Sequence, residues 1–297
     1  MANEAHKGWD GKSRGGHTGY LIFVRVIRLL GIRGAYTLLA FVALYFIPFA
    51  PRATRAIWNY HRRRRGLSRM AAMVALYRHY YCFGQTLIDK IALRGGLANR
   101  YHFCFGEAFE SFLALLEQGH GAVLIGAHVG CWEAGAGFFG QYGRKINIVM
   151  YDAEHQRIKE LLDKEEMEEH AYSIIPVNED PIEALLHMKA ALDRGELVCF
   201  NGDRYLDPNS AVEMALMGGR VKLPKGPFLI ASKCRVPVIF YYAMREPKRT
   251  YRFHFTIASE GGRAEVPTLM QHYATSLETL MQHYPYQWFN FYPFWNE

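Results

Sequence analysis

Residues 121–133 read Gly121-Ala-Val-Leu-Ile-Gly-Ala-His128-Val-Gly-Cys-Trp-Glu133. The apolar run is short, continuous and bounded by glycine, which is the pattern of a buried strand. Gly130 then lets the chain turn and start a helix. An imidazole is thereby placed at the carboxyl end of a strand, with a carboxylate on the first turn of the next helix. Open α/β sheets bind their ligands at those strand ends. A histidine oriented by a carboxylate is the basic unit for taking a proton from a hydroxyl. Five positions along one helix turn a side chain away by roughly 140°. His128 and Glu133 can therefore meet only if His128 lies in the loop before the helix. The same spacing also suits a locally satisfied loop histidine and a glutamate at a positive helix N-terminus, and spacing alone leaves both readings open.

Outward from this stretch the chain alternates strands and helices. A helix is expected from about Cys131 to Tyr142, then a strand from Lys145 to Met150 and a charged helix from His155 to Glu169. Next come a strand Tyr172–Pro176, a helix Pro181–Asp193 and a third buried strand Glu196–Asn201 that ends in Gly202-Asp203-Arg204. A helix Pro227–Cys234, a hairpin of Pro237–Met244 with Tyr251–Ser259, and a last helix Pro267–Tyr284 follow. This is an α/β pattern with a mixed, mainly parallel central sheet flanked by helices. Upstream, residues 19–33 read as helical, Pro48 and Pro51 make a break, and Arg52 to about Ile91 reads as one helix. A short strand Tyr101–Phe105 and a helix Glu107–Glu117 lead into the alternating part. Two regions result: a basic helical one over 1–95, and an α/β domain over 96–297 with an aromatic tail.

Charge divides the chain the same way. Residues 1–100 hold 17 Lys/Arg against 3 Asp/Glu, whereas 101–297 hold 18 against 25. The basic third suits an anionic surface. Ala35–Ala50 is uncharged, but its sixteen residues fall short of the roughly 20 that cross a bilayer straight. Arg25, Arg28 and Arg33 flank it on one side, and Arg52, Arg55 and the run Arg62–Arg65 on the other, so the positive-inside rule is undecided. The segment reads as a monotopic or shallow membrane anchor with arginines on lipid phosphates, or as a buried core helix. It starts too late for a cleavable signal peptide, and no nucleic-acid-binding motif accompanies the arginines. The five cysteines are scattered without a C-x-x-C pair. That argues against a zinc knuckle or redox dithiol and fits a reducing compartment.

Other candidates are weaker. Gly135-Ala-Gly-Phe-Phe-Gly140 matches G-x-G-x-x-G but starts too far past the strand to cradle a phosphate. His128, Cys131 and Glu133 lack metal-ligand spacing, so no metal is expected. No G-x-S-x-G elbow is present, and Cys131 is either a nucleophile or a helix-start packing residue. Asp203 and Arg204 belong at the same sheet edge as His128. Arg204 there either binds a phosphate or developing oxyanion, or makes an ordinary ion pair. Lys222 and Lys225, with Gly226 and Pro227 opening a helix, could hold an anion. The tail Tyr284–Trp295 is aromatic almost throughout. It either lies at a membrane interface or folds back on the core.

The set His128-Val-Gly-Cys-Trp-Glu133, Gly202-Asp-Arg204, Leu216-Met-Gly218, Leu223-Pro-Lys-Gly-Pro227 and Pro285-Tyr-Gln-Trp-Phe-Asn-Phe291 resembles the lysophospholipid acyltransferase superfamily, close to its lipid A late-acyltransferase branch. It is similar to a predicted bacterial acyltransferase subgroup, some members of which accompany aryl-polyene lipid synthesis. Cys131 stands where relatives often carry asparagine, and Leu216-Met217 where they often carry two phenylalanines. The resemblance implies an acyltransferase of the EC 2.3.1 type. It would move a fatty or polyene acyl chain from an acyl-thioester, acyl carrier protein or acyl-CoA, to a hydroxyl or amine of a lipid or glycolipid. His128 would be the general base and Glu133 its partner, with Asp203, Arg204, Lys222, Lys225 and Gly226 binding substrate. No cofactor is expected beyond the phosphopantetheine of the donor. The expected place is the cytoplasmic face of a bacterial inner membrane. The competing expectations are a lipid-linked thioesterase and a non-catalytic, lipid-binding peripheral membrane protein.

Overall fold

A computed structural model describes residues 16–135, 144–151, 172–177, 181–205 and 207–295. The helices are α1 (Gly16–Phe49), α2 (Pro51–Asn59), α3 (Arg69–Arg94), α4 (Phe109–Glu117), α5 (Pro181–Asp193), α6 (Gly226–Cys234) and α7 (Val266–His283). The strands are β1 (His102–Phe105), β2 (Ala122–Gly126), β3 (Ile146–Tyr151), β4 (Tyr172–Val177), β5 (Leu197–Asn201), β6 (Ala211–Leu216), β7 (Gly219–Pro224), β8 (Val238–Glu246) and β9 (Thr250–Ser259). Seven strands form one sheet in the order β1-β9-β8-β2-β5-β3-β4. Every neighbouring pair is parallel except β8 with β9. The mixed, mainly parallel α/β fold read from the sequence is thus the observed one.

β2 lies mid-sheet and is buried on both faces, as a parallel strand under two helical layers should be. Val123 and Ile125 point into a cluster with Met188 of α5, Phe228 of α6 and Leu277 of α7. Ala122 and Leu124 point into a second cluster with Leu39 of α1, Ile88 of α3 and Phe112 of α4. Alternation along one strand therefore feeds two cores.

The N-terminal helices are tied to the sheet by a buried charge. Asp89 of α3 is fully buried and accepts from Arg245 Nε at 2.8 Å, Tyr101 at 2.8 Å and Tyr251 at 2.8 Å. Tyr36 of α1 donates to it as well. An ion pair removed from water is stable only with such extra hydrogen bonds.

Two expectations change, and one element is added. The single helix over Arg52–Ile91 is α2, a π turn at Tyr60–Arg64 and α3, because Gly66 turns left-handed (φ 65°) and Ser68 caps α3 by accepting from Ala71 N–H. α1 is interrupted at Gly31 (φ 69°, ψ −177°) rather than only near the prolines. β6 and β7 form an antiparallel hairpin that the sequence reading passed over. The expected helix after Cys131 is described only as a 3₁₀ turn at Trp132–Gly135. Its remainder, like the expected helix His155–Glu169, lies outside the described residues.

Candidate active site

β2 and β5 are parallel neighbours, with Gly126 paired to Asn201. His128 and Asp203 each stand two residues beyond that pair, so the strand register brings them side by side. Gly202 N–H donates to the Gly126 carbonyl at 2.8 Å and holds the two strand ends together past the ladder. A side chain at Gly202 would meet Ile125 Cγ2 at 2.7 Å and the Tyr273 ring at 2.9 Å, so glycine is required there.

Asp203 is fully buried and its oxygens are shared out. Oδ1 accepts from His128 Nδ1 at 2.8 Å. Oδ2 accepts from the His128 backbone N–H at 3.0 Å and from Asn290 Nδ2 at 2.7 Å. Burial pushes its carboxyl upward, but the neighbouring His128 and Arg204 charges and the hydrogen bonds from His128 outweigh this and hold it down at about 2. The carboxylate is ionised at neutral pH, so Nδ1 carries the ring proton toward it. In the tautomer this selects, Nε2 bears the lone pair. It is buried and has no hydrogen-bond partner among the described residues. A buried polar atom left bare calls for an explanation.

The carboxylate on Nδ1 is therefore Asp203, in the place that the sequence reading gave Glu133. The reason is topological: β5 lies against β2, whereas Glu133 follows Gly130 into the 3₁₀ turn. Glu133's side chain lies outside the described residues. Arg204 lies at the sheet edge expected for it, next to Asp203. Its Nε donates to Asn290 Oδ1 at 2.7 Å and its second nitrogen to the Phe289 carbonyl at 3.1 Å. The guanidinium lies 5.8 Å from the Tyr292 ring centre. Those two donors hold the tail, so they are committed before any oxyanion forms. Lys222 sits on β7, and Lys225 precedes α6, which Gly226 opens. Lys225 N–H donates to the Ser210 carbonyl at 3.0 Å, and no described hydrogen bond links Lys222, Lys225 or Gly226 to His128.

The tail folds back over the site. Phe289 N–H donates to the His128 carbonyl at 2.7 Å, and Gly130 N–H donates to the Gln287 carbonyl at 3.0 Å. Gln287 clamps the Arg245 backbone by accepting its N–H at 2.9 Å and donating to its carbonyl at 2.7 Å. Trp288, Phe289, Phe294 and Trp295 are all buried, so the core-capping reading of the aromatic tail holds. Gln287 and Asn290 were not singled out from the sequence. Their signal was two amides standing in an otherwise aromatic run.

The arginine run also turns inward. Arg62 donates to the Leu67 carbonyl, Arg64 reaches the Gly218 carbonyl at 3.4 Å and lies over Trp295, and Arg65 meets His61 Nδ1 at 3.0 Å. Arg62, Arg64 and Arg65 thus bind the protein itself. An apolar cavity of about 50 Å³ is lined by Leu124, Gly126, Ile148, Cys199 and Tyr241, and by Ala127 and Val129, which flank His128 in the chain.

This site lies inside a recognised family region. The sequence model of the bacterial lipid A biosynthesis acyltransferases matches residues 88–297, which include β2, β5 and the tail. No curated protein matches the chain. On that family match, covering well over half its length, the chain belongs to the bacterial lipid A biosynthesis acyltransferase family and is an acyltransferase acting on lipid.

Proposed function

We propose that the protein transfers a fatty or polyene acyl chain directly from an acyl-thioester to a hydroxyl or amine of a lipid or glycolipid, with acyl carrier protein favoured over coenzyme A as donor. The observation that carries this reading is the bare Nε2 of His128, backed by an Nδ1–H on buried Asp203, with an apolar cavity walled by the flanking Ala127 and Val129. Nε2 takes the acceptor proton, the alkoxide or amine attacks the thioester carbonyl, and the thiolate leaves. No protein hydroxyl or thiol is hydrogen-bonded to Nε2 among the described residues, which favours direct transfer over an acyl-enzyme. A thiol is a good leaving group, so general-base help of about 10²- to 10⁴-fold plus positioning suffices. The donor brings its own phosphopantetheine, and the reaction requires no further cofactor.

The setting is the cytoplasmic face of the inner membrane. Among the described residues one helix, Leu21–Phe49, is long and apolar enough to cross a membrane by length and composition. Yet Gly31 breaks it, and Ile32, Ala35, Leu39 and Ala43 lie buried against the protein. Its other face exposes Phe41, Leu44, Tyr45 and Phe49, and α3 exposes Met70, Met73 and Val74. That arrangement fits a helix lying in the interface with one side on the protein and the other in lipid. All five cysteines are free, in keeping with a reducing side.

The test is His128→Ala with labelled acyl-thioester and a lipid acceptor. Transfer should fall by at least 10²-fold while folding and vesicle binding persist. Undiminished transfer by the variant overturns the mechanism. Thiol release without acceptor, yielding free fatty acid as the main product, would identify a thioesterase instead.

A further inference from the structure

Two buried histidines outside the proposed chemistry end on the strap over the active site. His61 lies in the π turn Tyr60–Arg64 and His79 on α3, and both are essentially without solvent exposure. Arg65 sits 3.0 Å from His61 Nδ1, His61 Nε2 sits 3.2 Å from His79 Nδ1, and His79 Nε2 sits 2.6 Å from the Trp288 carbonyl oxygen.

The direction of this chain is fixed by its ends. A guanidinium only donates, so His61 Nδ1 accepts and its proton sits on Nε2. That proton goes to His79 Nδ1, which leaves His79 with its own proton on Nε2. A backbone carbonyl only accepts, and the chain closes there with every nitrogen satisfied. Burial drives both imidazoles toward the neutral form; His79 and Arg65 add to this at His61, while at His79 the hydrogen bond to Trp288 opposes it and Arg65 adds to it.

The Trp288–Phe289 peptide is gripped on both edges. Its oxygen accepts from His79, and its N–H donates to the His128 carbonyl at 2.7 Å. On either side of it, Gln287 O accepts from Gly130 N–H and Asn290 Nδ2 donates to Asp203. One peptide plane thus stands between a buried imidazole and the backbone of the catalytic one. The rings of Tyr60, Phe289 and Phe291 pack edge-on around His79 and exclude rivals for its proton.

We propose that His79, held in one tautomer by His61 and Arg65, is a positioning residue that sets the His128 loop through the Trp288–Phe289 peptide. It touches neither substrate nor the reacting atoms. Its effect on the rate rests on the acyl-transfer reading, whereas its effect on the strap does not.

The test compares His79→Gln with His79→Asn in the full-length protein. Glutamine carries an amide nitrogen at the reach of Nε2, and asparagine only at the reach of Nδ1. Two readouts are taken: kcat and KM for acyl-thioester with lipid acceptor, and amide hydrogen exchange of the segments containing 128–131 and 286–291. Glutamine should stay near wild type in both. Asparagine should lose on the order of 10-fold or more in kcat at unchanged KM, because small misplacements of a reacting group are costly, and its strap and loop amides should exchange faster. Equal behaviour of the two variants, whether both intact, both impaired or both unfolded, overturns the proposal. If wild type itself transfers no acyl chain, the functional reading fails, and the exchange comparison still decides the role of His79.

Discussion

Replacing Asp203 with asparagine tests the site at its pivot. Of the three donors around the carboxylate among the described residues, His128 N–H and Asn290 Nδ2 face Oδ2 and His128 Nδ1 faces Oδ1. An asparagine therefore keeps two hydrogen bonds by putting its oxygen at the Oδ2 position. Its amide N–H₂ then faces His128 Nδ1, which must become an acceptor. The ring proton moves to Nε2, and the lone pair needed for proton abstraction disappears. The loss is bounded by what a general base supplies, about 10² to 10⁴. The corresponding carboxylate-to-amide change in a serine-protease triad costs about 10⁴ through the same tautomer error. We therefore expect a fall in kcat of about 10³ to 10⁴, or roughly 4 to 5.5 kcal/mol in the barrier. The assay is thiol release from acyl carrier protein thioester with saturating lipid acceptor, alongside Glu133→Gln. Near-native circular dichroism should accompany the loss, because the side chains are nearly isosteric. If Asp203→Asn keeps more than a tenth of wild-type kcat, the tautomer argument is wrong. If Glu133→Gln alone shows the full loss, the orienting role returns to Glu133.

Asp89→Ala should strand Arg245, which is only 12% exposed, and lower unfolding stability by about 3–5 kcal/mol in denaturant titrations. A loss below 1 kcal/mol would mean the pair is hydrated. Gly130→Ala should displace the catalytic loop, since the new methyl would stand 2.1 Å from the Ala243 carbonyl oxygen at a φ of 55°. Activity should fall at least tenfold, read in the same thiol-release assay. Acid should also weaken the fold through Asp203. Its carboxyl lies near 2 in the folded state against 3.8 for the free group, so the native state binds fewer protons between those values. The difference contributes about 2 kcal/mol that is fully present above pH 4 and fades as pH falls toward 2. The stability gap between wild type and Asp203→Asn should narrow over that window in thermal melts.

Much of the sheet was legible because buried strands announce themselves. Ala122–Ile125 and Leu197–Phe200 are apolar runs closed by glycine or by a polar turn, and both are strands. The β6–β7 hairpin hid because its two-residue turn is Met217-Gly218, with φ 49° and 69°. Such turns normally carry Asn-Gly or Asp-Gly, and methionine gives no turn signal. The alternation of buried Val221 and Leu223 with Arg220 and Lys222 was the clue available. At the site, spacing correctly put Asp203 at the edge that holds His128. It could not assign the contact, because a 75-residue separation is closed only by the adjacency and register of β2 and β5. For Arg204 the sequence left phosphate or oxyanion binding and an ordinary ion pair both open, because its tail partners lie 85 and 86 residues downstream.

The strap has a consequence for biosynthesis. The base arrives early in translation, and Asn290 completes its frame only after about 160 further residues, roughly 8 to 32 seconds at ordinary elongation rates. Throughout that interval a tethered, half-made chain holds a histidine whose aspartate lacks one of its three donors and whose loop lacks its cover. Under the proposed reaction, the complete His128 frame would exist only once the last aromatic turn has docked.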